Sequence, residues 1–226
     1  MEKNQYDLCI EVLRRFNSRD LFDGVILIGS WCMPFYKEYF AGVKYRSTIK
    51  TRDVDFLVPH PGKIRVAVDI PELLKDLGFV IGYRGTQGYM RLEHPDLVVE
   101  FLSPEKGRGT DKPVPLPRLR MNATALRFLN FLAQETIKVK VADFHVFLPH
   151  PANFALHKLM ISQRRQKEDK ASKDRIMALE ILNALLKKGE AGKIKTVFCS
   201  VPSKWQKKIL GTFTQEKEME ILEILQ

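Results

Sequence analysis

Asp53 and Asp55 stand two positions apart inside the largely apolar run Thr51-Arg52-Asp53-Val54-Asp55-Phe56-Leu57-Val58. Glu100 sits inside a second such run, Leu97-Val98-Val99-Glu100-Phe101-Leu102. Successive side chains of a strand point to opposite faces, so a strand reading puts both aspartates on one face and Val54, Phe56 and Val58 on the other, toward a core. A carboxylate among apolar neighbours is costly unless its charge is compensated, and a divalent cation would compensate it. Magnesium takes oxygen ligands and commonly uses one or two carboxylates together with substrate phosphates. Beside the aspartates, Glu100 would complete a site for two magnesium ions that steady the attacking and leaving oxygens of an in-line displacement. Within hydrogen-bond reach it could instead accept the proton of an attacking hydroxyl.

Upstream, the strand-like Val25-Ile26-Leu27-Ile28 runs into Gly29-Ser30, with a helix expected from Trp31 to Phe40. Glycine lets a backbone approach a phosphate closely, and the N–H groups at a helix start favour anions. The Ser30 hydroxyl could add one hydrogen bond. Gly-Ser alone carries little specificity, and each acidic residue has a plainer reading. Arg52 and Asp53 could form a local ion pair on an exposed edge, and Glu100 could be a buried glutamate satisfied by Arg91. The three carboxylates falling in this order within apolar strands favour the metal-and-triphosphate reading.

Several elements must position these groups. Leu8, Val12, Leu13 and Phe16 recur at helical spacing in an amphipathic opening helix over Tyr6–Phe16. Pro59–Gly62 reads as a loop, and a short helix begins at Pro71 and stops before Gly78. Phe79–Tyr83 and Gly88–Leu92 read as a strand pair around Arg84-Gly85-Thr86-Gln87. Ser103–Pro117, with four prolines and the basic Lys106, Arg108 and Lys112, fits no element and reads as a loop whose cations could reach a phosphate. Ile137–Val141 and Phe144–Leu148 alternate around Ala142-Asp143 as a hairpin. Helices follow from Pro151 through Met160, from about Ser172 to Leu186 with Gly189 and Gly192 ending it, and over Ser203–Leu210 and Glu216–Leu225. This is an α/β (α+β) chain: a mixed-sheet core over residues 1–120, then a C-terminal hairpin and helical part over 121–226. Lys158, Ser162 and Arg165 share one helical face; Lys158 would counter a triphosphate's charge if that face lines the cleft, and is otherwise part of a solvated stripe.

Strand, Gly29-Ser30 and helix, then Asp53-Val54-Asp55 within one hydrophobic strand and Glu100 within another, resemble the polymerase-beta-like nucleotidyltransferase superfamily. The form Thr51-Arg52-Asp53-Val54-Asp55 looks like its bacterial and archaeal branches, including the nucleotidyltransferases of toxin–antitoxin pairs. The resemblance covers Val25–Leu102, with a weaker echo at Pro151–Leu186 carried by Lys158, Arg164, Lys173 and Asp174. It implies that Gly29 and Ser30 contact the triphosphate, that Asp53 and Asp55 hold magnesium, and that Glu100 is the third ligand or the general base. The implied reaction moves a nucleoside monophosphate from an NTP to an acceptor hydroxyl of RNA, protein or a small molecule, and the branch adds an antitoxin-like partner. The interval from Ser30 to Asp53 is longer than the family's usual one, so Tyr36–Lys50 reads as an insertion or extended helix. The alternative is a non-catalytic nucleotide- or RNA-binding module with the same fold.

With 226 residues and 45% hydrophobic content, the chain can build one sizeable core or a core with a helical appendage. No apolar run reaches membrane-span length, and the polar start Met1-Glu2-Lys3-Asn4 lacks a secretory segment, which points to the cytoplasm without membrane partners. Cys9, Cys32 and Cys199 form neither a disulfide framework nor a zinc cluster. The five histidines show no metal-ligand spacing. A net charge of +10 suits a triphosphate or RNA as well as a solvated lysine surface.

Overall fold

The computed structural model describes residues 3–47, 51–107, 109 and 111–225. Contacts group the chain into two compact units: Met1–Phe35 with Thr48–Pro149, and Tyr36–Ser47 with His150–Gln226. This grouping differs from the 1–120 and 121–226 division expected from sequence, because the C-terminal hairpin stays with the sheet.

In the first unit, α1 (Lys3–Asn17) precedes β1 (Ile26–Ile28), a 3-10 turn at Gly29–Trp31 and α2 (Cys32–Tyr39), whose last turn enters the second unit. The strands that follow are β2 (Asp53–Leu57), β3 (Val80–Arg84), β4 (Tyr89–Glu93), β5 (Val98–Pro104), β6 (Val114–Leu116) and β7 (Met121–Leu126), with short helices α3 (Ile70–Leu74) and α4 (Leu129–Leu132). The sheet runs β1-β2-β5-β4-β3, with β2 and β5 parallel and the other pairs in that row antiparallel. β7 pairs in parallel with the second half of β5, from Leu102 to Pro104, while β4 pairs with its beginning at Val98 and Val99. Glu100 therefore lies where β4 and β7 part. Asn122 spans that fork: its Oδ1 accepts from Met90 N at 2.9 Å and its Nδ2 donates to Gly88 O at 3.0 Å.

The period-two pattern sorts the strands' faces. Val54, Phe56, Val99 and Phe101 are buried on the face that meets α1, whose Phe16 ring lies 4.7 Å from Phe56 and 6.2 Å from Phe101. Each such ring withdrawn from water contributes about 1.5–3 kcal/mol, so this aromatic trio anchors α1 to the two acidic strands. On the opposite face, Ile26, Ile28, Leu57, Leu102, Leu129 and Leu132 form a second cluster beside the carboxylates. The hairpin of β8 (Thr136–Val141) and β9 (Phe144–Pro149) turns at Ala142, whose φ is +54°.

Ser103–Pro117 is not wholly loop: β5 continues to Pro104, and β6 pairs with β7 inside the proline-rich stretch. Pro115 is tolerated because β6 is an edge strand, where its missing N–H costs no ladder bond. Arg108 lies outside the described residues.

The second unit holds α5 (Pro151–Ser162), α6 (Glu168–Lys187), α7 (Ala191–Ser200), α8 (Ser203–Gln215) and α9 (Met219–Leu225). α6 starts four residues before Ser172, and Gly189 (φ +82°) follows its end. Gly192 does not terminate it but lies within α7, whose Ile194, Val197 and Phe198 make the buried stripe. The interval expected as an insertion contributes Tyr36, 5.5 Å from Phe154, and Phe40 against Tyr45, while Arg46 N donates to Glu180 at 2.6 Å. Residues 48–50 of that interval lie outside the described residues. No helix among the described residues is long and apolar enough to cross a membrane.

Candidate active site

β1 delivers the Gly29 turn beside the acidic strands because Ile28 pairs directly with Asp55. Gly29 has φ +74°, a left-handed conformation open to glycine. A Cβ there would meet Asp55 Oδ2 and stand 3.2 Å from its Cγ, so the aspartate side chain would have to swing aside. Backbone and carboxylate thus approach as closely as they do because residue 29 has no side chain. Ser30 is half-buried in the 3-10 turn that follows.

Asp55 and Glu100 are direct partners across the parallel β2–β5 pair, and Asp53 lies two residues back on β2 opposite Val98. Register therefore puts all three carboxylates on one face. Their surroundings differ. Asp53 is exposed at the strand's start, whereas Asp55 and Glu100 are half-buried. Burial pushes the Glu100 pKa above the usual carboxylate range, Arg84 opposes the shift, Asp53 adds to it and Arg91 opposes it.

The plainer readings of these residues resolve differently from the sequence expectation. Arg52 does not close on Asp53; its Nη2 donates to His94 O at 2.7 Å. Arg91 does not neutralise Glu100, since its Nε bonds Glu93 Oε1 at 2.6 Å. The nearest counter-charge for Glu100 is Arg84 Nη1 at 3.8 Å, supplied by the end of β3. As the side chains stand, no group of three or more His, Cys, Asp or Glu among the described residues is arranged to hold a metal ion. The shared face, the desolvated Glu100 and the Cβ-free approach at Gly29 nevertheless fit a hard cation's oxygen ligands in chemistry. What they lack as they stand is closure on a cation.

A family model described as Nucleotidyltransferase matches residues 7–198. The chain belongs to the nucleotidyltransferase family. No curated protein matches it. Among solved structures, this nucleotidyltransferase is similar to an antigenic nucleotidyltransferase-like protein from Paracoccidioides brasiliensis, at 13% identity and TM-score 0.54, over 100% of this chain and 94% of that one. It is also similar to the antibiotic-resistance factor ANT(2'')-Ia in its solution structure, at 13% identity and TM-score 0.50, over 97% and 98% of the two chains. At that identity the likeness concerns the fold, a mixed α/β arrangement shared with other nucleotidyltransferases.

The remaining residue expected at the site behaves differently. Lys158 belongs to the second unit, on α5, and is only 6% exposed. Its Nζ lies 2.8 Å from Asp174 Oδ1, while Arg165 Nε lies 2.8 Å from Oδ2 of the same carboxylate. The expected stripe of Lys158, Ser162 and Arg165 is therefore not a solvated face: Lys158 and Ser162 are buried. Beside it, His157 is held neutral, its pKa brought down to about 3 by burial first and by Lys158 and Arg165 against the opposing Asp174. Sequence reading missed Arg84 and Asn122 as neighbours of the acidic strands. Arg84 was visible only as the first residue of a hairpin turn, and Asn122 carried no signal, since its role depends on which strands diverge.

Proposed function

We propose that this nucleotidyltransferase moves a nucleoside monophosphate from an NTP to an acceptor hydroxyl, with Asp53, Asp55 and Glu100 facing magnesium and Gly29-Ser30 facing the triphosphate. The observation that carries the reading is the Gly29 turn packed against Asp55, which is itself in register with Glu100. A left-handed glycine in the turn beside a carboxylate leaves the backbone open to a phosphate next to metal-facing oxygens. Bound magnesium would stabilise charge on the transferring phosphoryl group and on the departing pyrophosphate. Glu100, with its raised pKa, is suited either to ligate or to take the acceptor's proton. Lys158 enters this reading as a triphosphate contact only if it exchanges Asp174 for the phosphates.

One observation favours the rival, a nucleotide- or RNA-binding module without catalysis: the carboxylates do not close on a cation site as they stand, and Glu100 leans toward Arg84. Incubation with each labelled NTP and magnesium, offering RNA, protein and aminoglycoside acceptors in turn, separates the two. Label transfer lost in Asp53→Ala and Asp55→Ala supports the enzyme; retained transfer in both rejects this site. Base choice aside, the same assay identifies the acceptor. A cytoplasmic location accords with Cys9, Cys32 and Cys199 as free thiols. An antitoxin-like partner belongs to the same proposal, and growth arrest on expression, relieved by a second protein, is its test.

A further inference from the structure

Residues 191–215 contain five lysines and no aspartate or glutamate. Three of them, Lys204, Lys207 and Lys208, lie on α8 three and four positions apart and are all exposed, so they share its solvent face. Gly211 continues that face one turn on and is exposed as well. A Cβ at Gly211 would meet no atom within 4 Å, and its φ is not left-handed, so nothing in this fold calls for glycine there. Glycine in a helix interior is nevertheless destabilising relative to alanine. The half-buried Trp205 adds an indole beside the row, with Lys208 Nζ 4.9 Å from its ring centre. The exposed Ser203, Thr214 and Gln215 supply hydroxyl and amide groups at the two ends of the helix. The nearest acidic residues past the helix are engaged elsewhere, Glu216 with Arg175 at 3.2 Å and Glu218 with Asn183.

We propose that the solvent face of α8 binds single-stranded RNA. Lys204, Lys207 and Lys208 take backbone phosphates, Gly211 lets that backbone lie against the helix, and Trp205 offers a stacking edge to an unpaired base. Charge complementarity selects a polyanion, the aromatic selects unpaired bases, and the hydroxyl and amide groups suit the ribose 2′-OH. The site goes beyond the transfer reaction and does not depend on it.

Fluorescence anisotropy with a labelled twelve-nucleotide single-stranded RNA, at several salt concentrations, tests this on the full chain. The triple variant Lys204→Ala, Lys207→Ala, Lys208→Ala should weaken binding at least about tenfold at low salt and flatten the log K against log salt slope by about 2, at about 0.7 per lost single-strand contact. Gly211→Ala should raise the melting temperature yet weaken RNA binding, opposite signs that a purely structural glycine would not give. Asp55→Asn should leave RNA binding intact, which keeps this result separate from the fate of the catalytic reading. Unchanged affinity and slope in the triple variant would leave the lysines a solvated face and overturn the proposal. Gly211→Ala that stabilises the fold without touching affinity would overturn the close approach, and equal affinity for DNA, single-stranded or duplex, would overturn the assignment to RNA.

Discussion

Glu100 combines a position that disfavours charge with a proposed role, as metal ligand or proton acceptor, that requires it. Its pKa is raised in the fold, chiefly by burial, so the folded chain holds that proton to higher pH than the unfolded chain does. Stability from the protonated group is full below the ordinary carboxylate pKa and is lost as pH rises through the folded value. Glu100→Gln should therefore match the parent's melting temperature at pH 4 and exceed it at pH 8. Nucleotide transfer on the same samples should fall by about a hundredfold or more, the scale of removing one group that stabilises transition-state charge. Calorimetry paired with turnover checks both signs, and a variant less stable at pH 8 would mean that the Arg84 pairing outweighs burial. Gly29→Ala carries the complementary cost: a left-handed φ and a collision with Asp55 should cost about 1–3 kcal/mol in chemical denaturation and displace the aspartate from its register partner. Gly24→Ala, where a Cβ meets nothing nearer than 3.8 Å, should be nearly neutral and serves as the comparison.

At the scale of elements, α5 and α6 are joined by one buried carboxylate, Asp174, holding Lys158 and Arg165. Asp174→Ala leaves the Lys158 ammonium buried without its partner and should cost about 3–5 kcal/mol, read from the denaturant midpoint. His157 on the same helix gives a pH signature of the other sign. Its folded pKa lies near 3, so only the unfolded chain takes up its proton between about pH 6.5 and 3, and stability falls by about 1.4 kcal/mol per pH unit there. His157→Leu should flatten that acid limb; an unchanged limb would mean carboxylates elsewhere set it. Much of this architecture is legible in the sequence: Pro151 marks the start of α5, Ala142-Asp143 the hairpin, and apolar runs interrupted by carboxylates both acidic strands. The failures have different causes. β6 has three residues, and Pro115 with the flanking Pro113 and Pro117 signals a loop unless its partner is known, while α7 hides behind Gly192 although Ile194, Val197 and Phe198 keep helical spacing. Pairing that depends on distant chain is the part a local pattern does not carry.

For the whole molecule, the instructive difference concerns where the chain divides. The order of elements read from the sequence placed a boundary near residue 120, between the acidic strands and the C-terminal hairpin. Long-range pairing ignores that boundary. β7 completes the sheet beside Leu102–Pro104, Asn122 ties Gly88 and Met90 across the fork at Glu100, and Leu129 and Leu132 cover Leu57 and Leu102. A chain cut after residue 120 would lose all three and expose the apolar cluster beside the carboxylates. A chain cut after residue 149 keeps them, together with the hairpin. The fragment 1–149 should accordingly unfold in a sigmoidal transition with a near-ultraviolet circular dichroism signal, and 1–120 should show neither. The cost to the longer fragment is local, because Tyr36 loses Phe154 and, with Phe40, the rest of the second unit, leaving exposed apolar surface. Cooperative unfolding of 1–120 would mean that β7 and α4 are accessories to a sheet that forms without them, and the acidic strands would then owe their register to α1, β1 and β4.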